Sequence, residues 1–180
     1  MTNYAPISDY FTPTSTPSHL HYPLPSPMIY SLDLIGLFGP IILALFSLWQ
    51  LWNNGIYWYV YIITFIANTV INKSLKIQIR EPRPTGSEPM FISEPYSGIE
   101  QYGMPSGHAQ SVLCSTTYLY LVKHSPLMFL GEMFIVALTV YQRWKYRQHS
   151  IKQLYMGAII GMLVAYISYS ITTMWVTGQL

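Results

Sequence analysis

Three short clusters hold most of the side chains in this 180-residue sequence that could do chemistry. The first is Lys76-Ile-Gln-Ile-Arg-Glu-Pro-Arg83-Pro84, which sets a point cation and a planar guanidinium seven residues apart. Pro82 and Pro84 fix the backbone on either side of Arg83. Lysine with a forked arginine suits a phosphoryl group, whose oxygens need several directed donors. In isolation the same segment reads equally as a juxtamembrane basic loop drawn to anionic head groups. The second cluster is Gly103-Met104-Pro105-Ser106-Gly107-His108. Pro105 cannot lie inside a helix and Ser106 is a good N-cap, so a helix is expected to start here. Backbone N–H groups, a hydroxyl and an imidazole then meet at a helix N-terminus, where an anion is favoured. Alone, such a hexapeptide is most often an ordinary capped helix start. The third is Arg143-Trp-Lys-Tyr-Arg147-Gln-His149-Ser-Ile-Lys-Gln153, with His149 and Gln153 four apart and on one face if helical.

The elements that must position these clusters are apolar. Hydrophobic residues make up 51% of the chain and charged residues only 9%, too few charges for an ordinary soluble domain. Apolar runs of membrane-spanning length fall at about 30–52, 56–71, 106–122, 127–141 and 153–175. The expectation is an all-α integral membrane protein, a bundle of about five to six transmembrane helices, with a further short or re-entrant helix possible in the polar loop 73–105. Gly39-Pro40 should kink the first span, and Trp49, Trp52, Tyr57 and Trp58 read as an interfacial belt. Asn68 and Asn72 need polar partners or an aqueous cavity. Residues 1–29, with Pro6, Pro13, Pro17, Pro23, Pro25 and Pro27, read as an extended tail able to lie on a protein partner or the bilayer surface; residues 30–180 form the membrane domain. The tail lacks the basic and apolar regions of a cleavable signal peptide. Cys114 is the single cysteine and reads as a packing residue. Glu132 is an acid inside a span, interfacial or bundle-facing.

With five spans, the tail, the 73–105 loop and the 142–152 segment share one side of the membrane. Of the nine Lys and Arg residues only Lys123 falls on the other side. Positive-inside reasoning makes the charged side cytoplasmic, though cations that serve a site bias that count. Two histidines, two arginines, a lysine and a helix cap on one face of a bundle are expensive near lipid without a function.

Together the clusters resemble the type 2 phosphatidic acid phosphatase (PAP2) superfamily, with its signature K-x6-RP, PSGH and SR-x5-H-x3-D. Lys76, Arg83 and Pro84 match the first block and Pro105-Ser106-Gly107-His108 the second. Arg143 and His149 match the third, with Gln142 in place of Ser and Gln153 in place of Asp. The resemblance covers about residues 30–175. It implies a phosphohydrolase that needs neither metal nor cofactor. His149 would be the nucleophile, and His108 the acid that protonates the leaving oxygen and then activates water. Lys76, Arg83, Arg143, the Ser106 hydroxyl and the Gly107 N–H would hold the phosphoryl oxygens. Gln153 would accept the second ring N–H of His149 through its amide oxygen, so Gln153→Asp would preserve or raise turnover.

Within the superfamily, Glu81-Pro82-Arg83-Pro84, Tyr102-Gly103-Met104-Pro105-Ser106, Gln110 and His149…Gln153 look similar to the dolichyl-diphosphatase branch, although Gly107 stands where that branch tends to have Ser. This implies a polyprenyl diphosphate substrate ahead of phosphatidic acid and related lipid phosphates, in the endoplasmic reticulum or another internal membrane. Enzymes of that branch face the lumen, against the charge count. Membrane lipids and a protein partner for the tail are the other expected contacts; nucleic acid is not. The competing readings are a fold that has lost turnover and serves assembly, and a lipid-phosphate binder or transporter using the same pocket.

Overall fold

The structure is a computed structural model that describes residues 27–87 and 96–179. Most of the expected tail therefore lies outside the described residues. Five α-helices follow in order: α1 Pro27–Leu51, α2 Ile56–Ile79, α3 Gly107–Lys123, α4 Pro126–Lys145 and α5 Ile151–Val176, with a 3-10 turn at Gly98–Gln101. There is no strand among the described residues. α1 runs through Pro40 unbroken and begins at Pro27, inside the segment expected as tail. α2 continues to Ile79, past the expected end of the second span, so that Lys76 lies on the helix.

Local chemistry sets the boundaries. Ser106 caps α3 by accepting from Ala109 N, Ser125 caps α4 from Met128 N with Pro126 next, and Ser150 caps α5 in a reciprocal box with Gln153. Arg80 and His124 end α2 and α3 in the left-handed conformation.

α3 lies at the centre and touches the other four helices. Its closest neighbour is α5, and the reason is glycine. A Cβ at Gly157 would land on the Ser106 carbonyl, and one at Gly161 on the Gln110 carbonyl. These pairs rise together in number, so α3 and α5 run in the same direction. α1 and α4 run oppositely, since Gly36 meets Leu138 and Gln142 while Gly39 meets Ile135 and Thr139. One apolar core joins Leu51, Tyr61, Cys114, Tyr118, Leu119 and Ala165, and a second joins Leu43, Val112, Leu113 and Val136.

Around these cores the outer surface is apolar, with Leu45, Ile63, Leu130 and Ile167 all more than half exposed. By length and composition, two helices could cross a membrane, Ser31–Leu51 and Ile151–Val176. The interior is the polar part. Asn72 Nδ2 donates to Gln110 Oε1 at 2.8 Å, and Gln110 Nε2 donates to the Asn68 carbonyl and Oδ1 at 2.9 Å. Gln110 thus partners both asparagines, while the Asn68 amide nitrogen has no partner among the described residues. Asp33 of α1, buried, accepts from Lys145 at 2.7 Å and from the Tyr146 hydroxyl at 2.6 Å, which ties α1 to the far end of α4.

Candidate active site

The alternation of helix directions brings the C-termini of α2 and α4 to the same end as the N-termini of α1, α3 and α5. A cavity of about 420 Å³ opens there. Of the eight residues expected to form the site, Lys76, Arg83, Gly107, His108, Arg143 and His149 line it. Ser106 and Gln153 do not.

The loops around the cavity are stitched by backbone bonds. Gly103 N donates to the Glu81 carbonyl at 2.8 Å, and Ser106 N to the Gln153 carbonyl at 3.1 Å. Pro82 and Tyr102 form an isolated antiparallel bridge. These contacts bring the three sequence clusters against one another.

His149 is buried, with Nδ1 2.9 Å from the Gly103 carbonyl and Nε2 3.3 Å from Arg83 Nη1. A carbonyl can only accept, so Nδ1 carries the proton. Nε2 is then left with its lone pair, facing Arg83 at the cavity wall. Burial, and then the charges of Arg83, Arg143 and Lys76, hold this imidazole well below its ordinary value of 6.5, so it is neutral at pH 7. Burial also lowers the Arg83 guanidinium, opposed by Tyr96 and Glu100. Its fork donates to the carbonyls of Glu100 at 2.7 Å and Gln148 at 2.8 Å, and the ring of Tyr96 covers it at 3.9 Å. Lys76 reaches Glu100 Oε2 at 3.1 Å. On the α3–α4 side, Arg143 Nη2 contacts His108 Nε2.

Two expectations are corrected. Gln153 does not hold His149: that role falls to the Gly103 carbonyl. The Gln153 amide oxygen accepts from Ser150 N at 3.2 Å, and its nitrogen donates to Glu81 Oε1 at 3.0 Å and the Pro82 carbonyl at 2.8 Å. Gln153 is committed to loops, as the capping geometry of α5 requires. Ser106 is fully buried, and its hydroxyl serves the α3 cap at 3.4 Å from Ala109 N, not the cavity.

A family model for the PAP2 superfamily matches residues 56–176, the span that contains all three clusters. The chain belongs to the PAP2 superfamily. No curated protein matches it significantly. Among solved structures, it is similar to a transmembrane PAP2-type phosphatidylglycerolphosphate phosphatase from Bacillus subtilis. The identity is 18%, the TM-score is 0.60, and the match covers 83% of this chain and 79% of that one. The fold is thus that of a transmembrane PAP2 protein, and with its two apolar helices this chain reads as a membrane protein of the superfamily.

This PAP2 site also contains groups that sequence reading did not assign. Glu100, one of four acids in the long loop, bridges Lys76 and Arg83, at 3.1 and 3.5 Å. Tyr96 and Gln148 line the cavity and bond each other. Their spacing from the clusters carries no pattern that would reveal them. Gln142, the other departure from the PAP2 signature, is buried where α4 meets Gly36 of α1 and does not line the cavity.

Proposed function

We propose that this chain is a multi-pass membrane phosphatase that removes phosphate from a lipid phosphate or diphosphate through a phosphohistidine at His149. The observation that carries the reading is the set of His149: a neutral ring, its Nδ1 proton held by the Gly103 carbonyl, its Nε2 lone pair at a cavity wall among Arg83, Lys76 and Arg143. An unprotonated, oriented nitrogen is what in-line attack on phosphorus needs, and fixed cations stabilise the charge on the equatorial oxygens.

In the proposed sequence, Nε2 bonds to phosphorus as the bond to the leaving oxygen breaks. His108 supplies the proton to that oxygen. Its Nε2 faces Arg143, so it gains a proton when the negative phosphate sits between them. His108 then takes a proton from water, whose oxygen attacks phosphorus and frees His149. Leu37, Pro40 and Ile41 of α1 give the cavity an apolar wall suited to a lipid chain.

A polyprenyl diphosphate is the favoured substrate, on the similarity to the dolichyl-diphosphatase branch, with all five helices spanning an internal membrane such as the endoplasmic reticulum. The alternative of a fold without turnover leans on Gln153 and Gln142. Both stand away from the cavity wall, and that supports the enzyme reading.

The test is phosphate release by the detergent-purified protein, with a chelator present, from polyprenyl diphosphate and phosphatidic acid. Release that is lost in His149→Ala is expected. No release from a folded protein, or equal release from the variant, would refute the reading.

A further inference from the structure

The proposed chemistry at one phosphoryl group uses Lys76, Arg83 and Arg143, yet a further lysine lines the same cavity. Lys73 lies one turn before Lys76 on α2, on the face that also brings Thr69 and Asn72 to the cavity wall. Lys76 has its carboxylate in Glu100, whereas Lys73 has no ion pair among the described residues. Because α2 runs toward the site, Lys73 sits one turn further from the site end of the helix than Lys76, and it is exposed where Lys76 is buried. It lines the part of the molecule where α1 contributes Leu37, Pro40 and Ile41. α1 and α2, which both line the cavity here, touch each other only lightly.

An exposed lysine beside this apolar surface is costly in a membrane unless it meets an anion or stretches to the interface. Its place between the cation-rich end and an apolar wall is where the middle of a lipid diphosphate would lie if its terminal phosphoryl group sat at His149. Two lysines one turn apart have neighbouring side chains, and their flexible stems can address two adjacent phosphoryl groups.

We propose that Lys73 binds the inner phosphoryl group of a lipid diphosphate, the one bonded to the lipid chain, and so selects diphosphate over monophosphate substrates. This rests on the function proposed above. In the step concerned, His149 Nε2 bonds to the terminal phosphorus and the phosphoanhydride bond breaks. The electron pair leaves on the bridging oxygen of the lipid monophosphate. Lys73 offsets the charge that collects there, and a monophosphate substrate has no group at that position.

The experiment compares phosphate release from a polyprenyl diphosphate and the matching monophosphate by the wild-type chain, Lys73→Gln and Lys73→Arg. The ratio of kcat/KM for diphosphate over monophosphate falls about tenfold in Lys73→Gln, the size expected for one charge-assisted contact, and is largely restored in Lys73→Arg. An unchanged ratio overturns the proposal, because a lysine that only reaches lipid head groups affects both substrates alike. If neither substrate is hydrolysed, the proposed function fails and a binding readout still decides Lys73. Thermal stabilisation of the wild-type protein by methylenediphosphonate exceeds that by methylphosphonate, and Lys73→Gln removes the difference. A difference that persists in the variant, or is absent from the wild type, refutes the subsite.

Discussion

Gln153 stands where the PAP2 signature places an aspartate, and its neighbours explain why an amide suits the position. Its nitrogen donates to Glu81 and to the Pro82 carbonyl, two bonds a carboxylate cannot make. Gln153→Asp would also set a second negative charge beside Glu81, whose carboxyl is already lowered; burial opposes that shift, and bonds from Gln153 and Lys152 outweigh it. The expected outcome is a loss of about 1–3 kcal/mol in stability together with reduced phosphate release. That reverses the effect expected from sequence. Melting and turnover of the purified variant check it, and wild-type turnover in Gln153→Asp would return the residue to an orienting role.

His149 makes a pH prediction at the same scale. Its folded value lies below its ordinary 6.5, so under acid the unfolded chain binds a proton that the folded chain refuses. Stability is therefore unaffected above about pH 7 and falls as pH drops below about 6.5. The melting temperature should follow that course, and His149→Asn should reduce the slope by up to one proton. An identical slope in the variant would remove His149 as the source.

At the scale of elements, the start of α3 was legible because Ser106 carries local capping chemistry, whereas the apolar run alone places the fifth helix from about 153 and misses the Ser150 cap that starts α5 at Ile151. The α3–α5 contact was legible in principle from Gly157 and Gly161, a small-residue spacing that lets helix backbones approach in lipid. Gly161→Ala puts a methyl group against the Gln110 carbonyl and 3.1 Å from Cys114 N. It should cost about 1–3 kcal/mol as the helices move apart. Since His108 lies at the start of α3 and His149 immediately before α5, turnover should fall with it. Thermal melting and phosphate release on one preparation test the link; a variant as stable as wild type would mean the helices adjust elsewhere. The partners of Asp33 and Glu100 were not legible. Asp33 meets Lys145 across 112 positions and Glu100 meets Lys76 across 24, and neither pairing leaves a local pattern.

At the scale of the molecule, five apolar runs predict five helices in their order, and the alternation of direction gathers most of the charge at one end. Lys123 sits at the other, donating to Asn54 Oδ1 at 2.7 Å. What the runs conceal is which helix is inside. α3 carries Gln110, Ser115 and Thr116, all fully buried, and is surrounded by the others, whereas the two most apolar helices, α1 and α5, expose much of their length. Where lipid is the solvent, apolarity marks the outer face and small or polar residues mark the packed interior.

The packed interior also provides a built-in reporter. Cys114 is the only thiol in the sequence, is fully buried, and lies where Gly161 brings α5 against α3. A maleimide offered to the folded protein meets no accessible sulfur. Its rate of attachment therefore times how often the packing around α3 opens, in detergent or in a native membrane, without a label having to be engineered.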